Sequence, residues 1–177
     1  AFAGADALLF VSGSEVGQRL PQHANVVAAA KEAGVGRIVY TSAPHADTST
    51  LVLAPEHKAT EQLIRDSGIP FTLLRNNWYT ENYVSTLEQA RQSGTIVASA
   101  GAGRVASASR VDYADAAAAA LTGTGHDGET YELAGDVAWD FAGLATAIGD
   151  ILGRDVSYTP VSPEEHLAIL TSAGLDE

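Results

Sequence analysis

Small and polar residues follow three apolar segments of the chain, and their types suit the binding of a nucleotide. They are Ser12-Gly13-Ser14, Thr41-Ser42-Ala43-Pro44-His45 and Asn76-Asn77-Trp78-Tyr79. Hydroxyl groups, side-chain amides and backbone amides can hydrogen bond to the sugar, base and phosphate groups of a nucleotide. In a doubly wound sheet, ligands bind at the carboxyl ends of the strands. The sequence therefore indicates a nucleotide site at these residues, with plain strand-ending loops as the alternative.

Five alternating elements would position these residues. Residues 5–11, 37–41 and 70–75 are mainly apolar runs, which is typical of strands that are covered on both faces. Helices are predicted between them, one with Pro21 in its first turn and one that begins at Pro55. Strands that alternate with helices in this way indicate a parallel sheet and the α/β class.

The residues after the third apolar run are more mixed, with short strands between helices. One of these helices is rich in alanine over residues 116–120, and Asp112 is its predicted N-cap. We expect one continuous domain over residues 1–177. Within it, residues 1–78 would form the sheet core and residues 79–177 a smaller α+β lobe.

Charge and composition exclude several classes of protein. The chain has 22 acidic and 10 basic side chains, a formal net charge of −12, and no cysteine. A surface of this sign repels nucleic-acid phosphates, and a chain without cysteine has neither a disulfide nor a thiolate nucleophile. No apolar run approaches the ~18 residues of a membrane span. We therefore expect a cytoplasmic protein with no nucleic-acid partner and no membrane span.

Several common site motifs are absent. No G-x-G-x-x-G lies between a strand and a helix: Gly13 and Gly17 have a different spacing, and Gly101-Ala102-Gly103 is predicted to be a turn. His45 and Asp47 could supply two metal ligands, but no third is nearby, so we predict no metal site. The nucleophile elbow G-x-S-x-G and the zinc motif H-E-x-x-H are also missing, which argues against hydrolases.

Five strings occur in order along nearly the whole chain. They are Ser-Glu-Val-Gly-Gln-Arg at 14–19, Tyr-Thr-Ser at 40–42 with His-Ala-Asp-Thr-Ser at 45–49, Leu-Arg-Asn-Asn-Trp-Tyr-Thr-Glu-Asn-Tyr at 74–83, Asp-Tyr-Ala at 112–114, and Tyr-Glu-Leu-Ala-Gly-Asp at 131–136. With them, the chain resembles the NAD(P)H:quinone oxidoreductases of the NmrA-like branch of the atypical short-chain dehydrogenases. Asn77 stands where that family usually has glycine, and asparagine adopts a positive φ more readily than most residues.

The resemblance implies a Rossmann-like parallel sheet of which this chain carries only the later part. Family members begin with a glycine-rich β-α-β-α-β run of roughly 60 residues, and they continue beyond the position of Glu177. We expect that earlier run to hold the pyrophosphate loop and the residue that selects NADP over NAD. We accordingly expect negligible affinity for the cofactor in this chain alone.

The resemblance also implies the ligands and the residues that would bind them. NADPH, with NADH as the alternative, would donate a hydride to a small-molecule quinone, and a homo-oligomer is left open. The residues expected to bind the cofactor are Val11, Ser12, Gly13, Thr41, Ser42, Asn76, Asn77 and Trp78. Those expected to shape the quinone slot are Tyr79, Glu81, Asn82 and Tyr83.

The acid–base pair of ordinary short-chain dehydrogenases, Tyr-x-x-x-Lys, is missing, because neither Lys31 nor Lys58 has a tyrosine four residues before it. The resemblance places His57 at the tyrosine position, Glu61 at the lysine position and Ser42 at the position of the catalytic serine. Ser42 and His57 are therefore the catalytic candidates. His57 is either a proton donor, since imidazole titrates near neutrality, or a helix residue that faces solvent.

The missing pair favours one class of acceptor. Hydride addition to a quinone gives a delocalised phenolate that water can protonate, whereas an ordinary ketone needs an acid. The protein in this interpretation supplies mainly the position of the cofactor. We expect an NAD(P)H:quinone oxidoreductase, and the alternative is an NmrA-like regulatory protein that senses the dinucleotide without turnover.

Overall fold

The computed structural model describes residues 2–172 and residue 174. These residues group into two compact units. The first unit contains residues 2–77 and 108–134, and the second contains residues 78–107 and those from 135 onward.

The elements alternate along the chain as strands and helices. The strands are β1 Ala7–Phe10, β2 Arg37–Ser42, β3 Phe71–Asn76, β4 Thr95–Ala98, β5 Thr130–Leu133 and β6 Ser157–Pro160. The helices are α1 Arg19–Glu32, α2 Ala54–Ser67, α3 Val84–Ser93, α4 Arg110–Thr122, α5 Phe141–Leu152 and α6 Pro163–Ser172, with a short 3-10 helix at Thr80–Tyr83.

The first unit is built on a four-stranded parallel sheet with the spatial order β1-β2-β3-β5. Ser42 of β2 pairs with Arg75 of β3, and Arg75 pairs with Glu132 of β5. Residues in one register row point to the same face of a sheet, so these three side chains share a face near the carboxyl ends of their strands. The parallel pairing confirms the predicted α/β class with a Rossmann-like sheet.

Helices cover both faces of this sheet. On one face, Ile64 of α2 packs with Leu73 of β3 in a cluster that also includes α1. On the other, Ala117 of α4 packs against Val39 and Leu74. Because successive strand residues point to opposite faces, a strand that is covered on both sides needs apolar residues at nearly every position. This explains the unbroken apolar runs of β2 and β3.

The start of α4 differs from the prediction. Ser109, not Asp112, is the N-cap: its hydroxyl accepts from the backbone N–H of Asp112, and the Asp112 carboxylate accepts from the backbone N–H of Ser109. This reciprocal pair is a capping box, in which an acidic residue at the third helical position bonds back to the cap. Asp112 therefore lies one turn inside the helix that it was predicted to begin.

The second unit has its own small core. β4 and β6 pair in parallel, and Ile96 of β4 packs with Ala145 and Ile148 of α5. Asp140 caps α5, since its carboxylate accepts from the N–H of Gly143 at 2.8 Å. No described helix has both the length and the apolar character needed to cross a membrane.

The grouping of the chain differs in one respect from the sequence-based division at residue 78. α4 and β5 belong to the first unit, because β5 extends the parallel sheet beside β3. The description of the chain as one domain stays a prediction. So does the glycine-rich run expected before this chain; β1 is the border strand of the described sheet, and Leu9 and Val11 are exposed.

Truncation of a core residue tests the assignment of the first core. Leu73 of β3 is completely buried in the cluster that includes Ile64 of α2. L73A should therefore lower the free energy of unfolding by about 2–5 kcal/mol. Val111 on α4 is 66% exposed, and V111A should change it by less than about 0.5 kcal/mol. Urea denaturation measures both. Equal effects of the two substitutions would contradict the assigned core.

Candidate functional site

The carboxyl ends of the strands bring the predicted polar residues of the first unit to one edge of the sheet. The backbone N–H of Ser12, just after β1, donates to the Thr41 hydroxyl of β2 at 2.9 Å. The backbone N–H of Asn77, just after β3, donates to the carbonyl of Leu133 of β5 at 2.9 Å. The residues expected to bind the cofactor in this unit, which lie at this edge, are Val11, Ser12, Gly13, Thr41, Ser42, Asn76 and Asn77. Their binding roles stay predictions.

Asn76 is the last residue of β3, and its side chain is buried. Its Oδ1 has no hydrogen-bond partner among the described residues. A buried acceptor without a donor costs about 1–3 kcal/mol, and such atoms are rare enough to need an explanation. An N–H group of a bound ligand would supply the missing bond, so this atom fits a site at the carboxyl edge.

A buried ion pair lies directly behind Ser42. The Nε and Nη2 of Arg75 donate to the two carboxylate oxygens of Glu61 at 2.9 and 2.8 Å, which joins β3 to α2. The Ser42 hydroxyl donates to Glu61 Oε1 at 2.6 Å. The hydrogen bonds that Arg75 donates to Glu61 are the main reason that the pKa of Arg75 lies above its ordinary value. The hydroxyl proton of Ser42 is therefore engaged in a hydrogen bond to a carboxylate in this arrangement.

The outer side of the same guanidinium holds the loop that follows β2. The Nη1 of Arg75 donates to Asp47 Oδ1 and to Glu132 Oε1, both at 2.9 Å. The Glu132 carboxylate in turn accepts from the backbone N–H of His45, at 3.0 Å from Oε2. Arg75 thus connects α2, β5 and the loop of residues 43–49 to the end of β3.

The Gly13 loop is held by two buried side chains of α1. The N–H of Gly13 donates to Nε2 of His23 at 3.0 Å, and the carbonyl of Gly13 accepts from Nε of Arg19 at 2.6 Å. With Nε2 as an acceptor, His23 is neutral and its Nδ1 donates to the Thr60 hydroxyl at 2.8 Å. Burial, and secondly the charge of Arg19, lowers the pKa of His23. Nothing in the local sequence pattern had marked either residue as part of the site.

His57 is not a solvent-facing residue, and that alternative is wrong. Its side chain is buried on the sheet-facing side of α2, together with Thr60, Glu61 and Ile64 at helical spacing. Its Nδ1 lies 2.9 Å from the Tyr40 hydroxyl. Burial is the main cause that lowers the pKa of His57 to about 4, so the ring is neutral at pH 7. A neutral, buried imidazole bonded to Tyr40 does not support the predicted role of proton donor.

The remaining predicted residues lie in the second unit. Trp78 is exposed, and Tyr79 precedes the 3-10 helix that carries Glu81, Asn82 and Tyr83. The Tyr83 ring packs edge-on against Trp139, with 4.8 Å between ring centroids. The described contacts of Tyr83 are those of an aromatic cluster in that unit. The cofactor role of Trp78 and the quinone-slot role of the other four residues stay predictions.

Known proteins resemble the chain over its whole length. The sequence model of the NAD(P)H-binding family matches residues 1–124. Quinone oxidoreductase 2 of Escherichia coli (strain K12) is 50% identical over 177 residues, which are 100% of this chain and 62% of that protein. The chain therefore spans less than two thirds of the length of that relative.

Two solved structures share the fold. The crystal structure of an NADPH-dependent quinone oxidoreductase from Escherichia coli, complexed with NADPH, has a TM-score of 0.94 and 50% identity, and it matches 99% of this chain and 62% of its own. The Citrobacter sp. triphenylmethane reductase complexed with NADP(H) has a TM-score of 0.95 and 44% identity, over 100% of this chain and 63% of its own.

Acid should destabilise the first unit because two of its histidines are buried and neutral. Imidazole titrates near about 6.5 in an unfolded chain, whereas the pKa of His57 in the folded chain is about 4. Between these values the unfolded chain binds the proton and the folded chain does not. The free energy of unfolding should therefore fall as the pH falls from about 6.5, by up to ~1.4 kcal/mol per pH unit for each such histidine.

Urea denaturation between about pH 7 and about pH 5 measures this dependence. H57Q keeps a hydrogen-bonding amide near Tyr40. In this variant the free energy of unfolding should depend less steeply on pH, because up to one proton fewer is taken up on unfolding. A variant with the same slope as the wild type would show that His57 does not titrate in the unfolding reaction.

Removal of Arg75 should be costly because it leaves the Glu61 carboxylate buried without its charge partner. R75M is expected to lower the free energy of unfolding by about 3–5 kcal/mol. The double variant R75M/E61M, which removes both charges, should recover part of that loss. Arg91 pairs with Glu88 on the surface, and R91M should have little effect. If R75M and R91M lowered the free energy of unfolding equally in urea denaturation, the buried pair would not stabilise the first unit as described.

Proposed function

We propose, since this chain belongs to the NAD(P)H-binding family, that its protein is an enzyme that transfers a hydride from NADPH to a quinone, with NADH as the alternative donor. The observation that carries the proposal is the 50% identity, over all 177 residues, to a protein named quinone oxidoreductase 2. The structure of an NADPH-dependent quinone oxidoreductase complexed with NADPH, matched over 99% of this chain, supports the same cofactor.

The residues at the carboxyl edge of the first unit fit a nicotinamide dinucleotide. Asn76 offers a buried amide oxygen that lacks a donor, and Thr41 holds a hydroxyl beside the backbone of Ser12. His23 and Arg19 fix the Gly13 loop from the side of α1. When bound, the cofactor would supply the hydride, while these residues bind and orient it.

The contacts of the predicted acid–base positions support a quinone as the acceptor. His57 and Glu61, at the positions of the usual tyrosine and lysine, bond to Tyr40 and to Arg75 inside the first unit. The Ser42 hydroxyl donates to Glu61. These contacts lie within the first unit and engage Ser42, His57 and Glu61 with other protein groups. A quinone needs a proton donor less than an ordinary ketone does, because hydride addition leaves the negative charge of the product delocalised.

The proposed setting of the enzyme is the cytoplasm, with a small-molecule quinone as its partner. The net charge of −12 supports a protein that does not bind nucleic acid. A homo-oligomer remains part of the proposal to be tested by light scattering.

Activity toward quinones tests the function directly. The purified full-length protein should oxidise NADPH in the presence of simple benzoquinones and naphthoquinones, as followed by the absorbance of the reduced nicotinamide. Unchanged absorbance with every quinone would contradict the proposal. Binding of NADPH without turnover would favour the alternative of a regulatory protein that senses the dinucleotide.

Substitution of Asn76 tests where the cofactor binds. In the full-length protein, N76A removes the unpaired amide oxygen and should weaken NADPH binding roughly tenfold, since a hydrogen bond to a buried group contributes about 1–1.5 kcal/mol. The exposed Asn25 on α1 is the matched control, and N25A should bind NADPH like the wild type. Calorimetry measures both. Equal affinities in N76A and N25A would exclude Asn76 from the cofactor site.

A further inference from the structure

The backbone of His45 has an unusual conformation at the carboxyl edge. Among the described residues it is the only one other than glycine with a positive φ, at 48°. Its N–H donates to the Glu132 carboxylate, and its carbonyl accepts from the N–H groups of Thr48 and Ser49 at 2.9 and 2.7 Å. Residues in this region persist when their surroundings hold them, and they cluster at active sites. Two residues separate His45 from Ser42 at the end of β2.

The side chain of His45 is both exposed and oriented. The ring is 72% exposed, and its Nδ1 lies 3.5 Å from Oε1 of Glu132. Glu132 is itself anchored by Arg75. The charged groups around the ring are thus Glu132 of β5, Arg75 of β3, Asp47 on the same loop, and Lys58 of α2, whose Nζ donates to the Asp47 carbonyl. The His45 ring is therefore open to solvent and lies beside an anchored carboxylate.

The other acidic protons considered for this edge are engaged elsewhere. The Ser42 proton goes to Glu61, the His57 ring contacts the Tyr40 hydroxyl, and His23 donates to Thr60. His57 and His23 are also buried, whereas His45 is exposed. Of these groups, His45 is the one whose ring is open to solvent.

We propose that His45 is a catalytic residue that protonates the quinone oxygen, and that Glu132 is the positioning residue that orients it. This inference rests on the proposed function. The quinone accepts a hydride, with its two electrons, and one of its oxygens becomes anionic. That oxygen takes the N–H proton of the His45 imidazolium, so an N–H bond breaks and an O–H bond forms. The hydroquinone leaves, and the neutral imidazole regains a proton from water.

The pH profile of quinone reduction tests this role. In the wild type, kcat/KM should fall as the pH rises, because the acid must be protonated. H45N keeps a residue that tolerates positive φ but has no acidic proton. It should lose that dependence and run roughly tenfold slower at low pH; this is less than the 10²–10⁴ of a required general acid, because water can protonate the product.

Two further variants separate catalysis from structure. E132Q removes the carboxylate that lies beside the ring, so the dependence of kcat/KM on pH should be weaker than in the wild type. His166 bonds to Ser99 in the second unit, and H166N should keep the wild-type profile. A third measurement does not depend on turnover: the ring protons of His45 should shift in NMR spectra when hydroquinone is added, and calorimetry should give the same NADPH affinity in H45N as in the wild type.

The outcomes are distinct. If the wild type reduces quinones and H45N has the same rate and profile, the inference is overturned and the proposed function stands. If H45N loses NADPH affinity, or loses activity equally at every pH, His45 acts in binding or structure and the inference also fails. A wild type that reduces no quinone would overturn the proposed function and this inference together.

Discussion

The forked ion pair between Arg75 and Glu61 is the interaction on which the carboxyl edge depends. A guanidinium inside an apolar sheet is stable only if its charge and its N–H groups find partners, since burial of an unpaired charge is costly. Arg75 meets this requirement with carboxylates from α2, from β5 and from the loop after β2. One side chain thereby fixes the relative positions of four segments of the first unit.

The register of the sheet makes this arrangement possible. Ser42, Arg75 and Glu132 occupy one row across three strands, so their side chains share the face that α2 covers. Asn76 lies one position farther along β3 and has the opposite orientation. Arg75 is engaged in internal hydrogen bonds, whereas the side-chain oxygen of Asn76 still lacks a donor. The two residues are adjacent in sequence, but their side chains lie on different sides of the sheet.

The elements of the first unit were predictable, whereas the bonds of its edge were not. Unbroken apolar runs and well-placed proline and glycine residues identify β2, β3 and α2, because these features follow from burial and backbone geometry alone. The partners of Arg75 are 14, 28 and 57 residues away, and local patterns carry no information on such pairs. The one signal of this ion pair in the sequence was Arg75 itself, a charged residue within a mainly apolar strand. The burial of His57 likewise follows from the face of α2 that meets the sheet.

The charge count around Arg75 has a consequence for the direction in which a ligand can lie. Three carboxylates surround one guanidinium, and with the nearby Lys58 the sum is negative while His45 is neutral. Anions approaching this part of the edge are repelled, whereas neutral and cationic rings are not. If the proposed cofactor binds at this edge, the field favours its uncharged nicotinamide near Arg75 and its phosphates farther away.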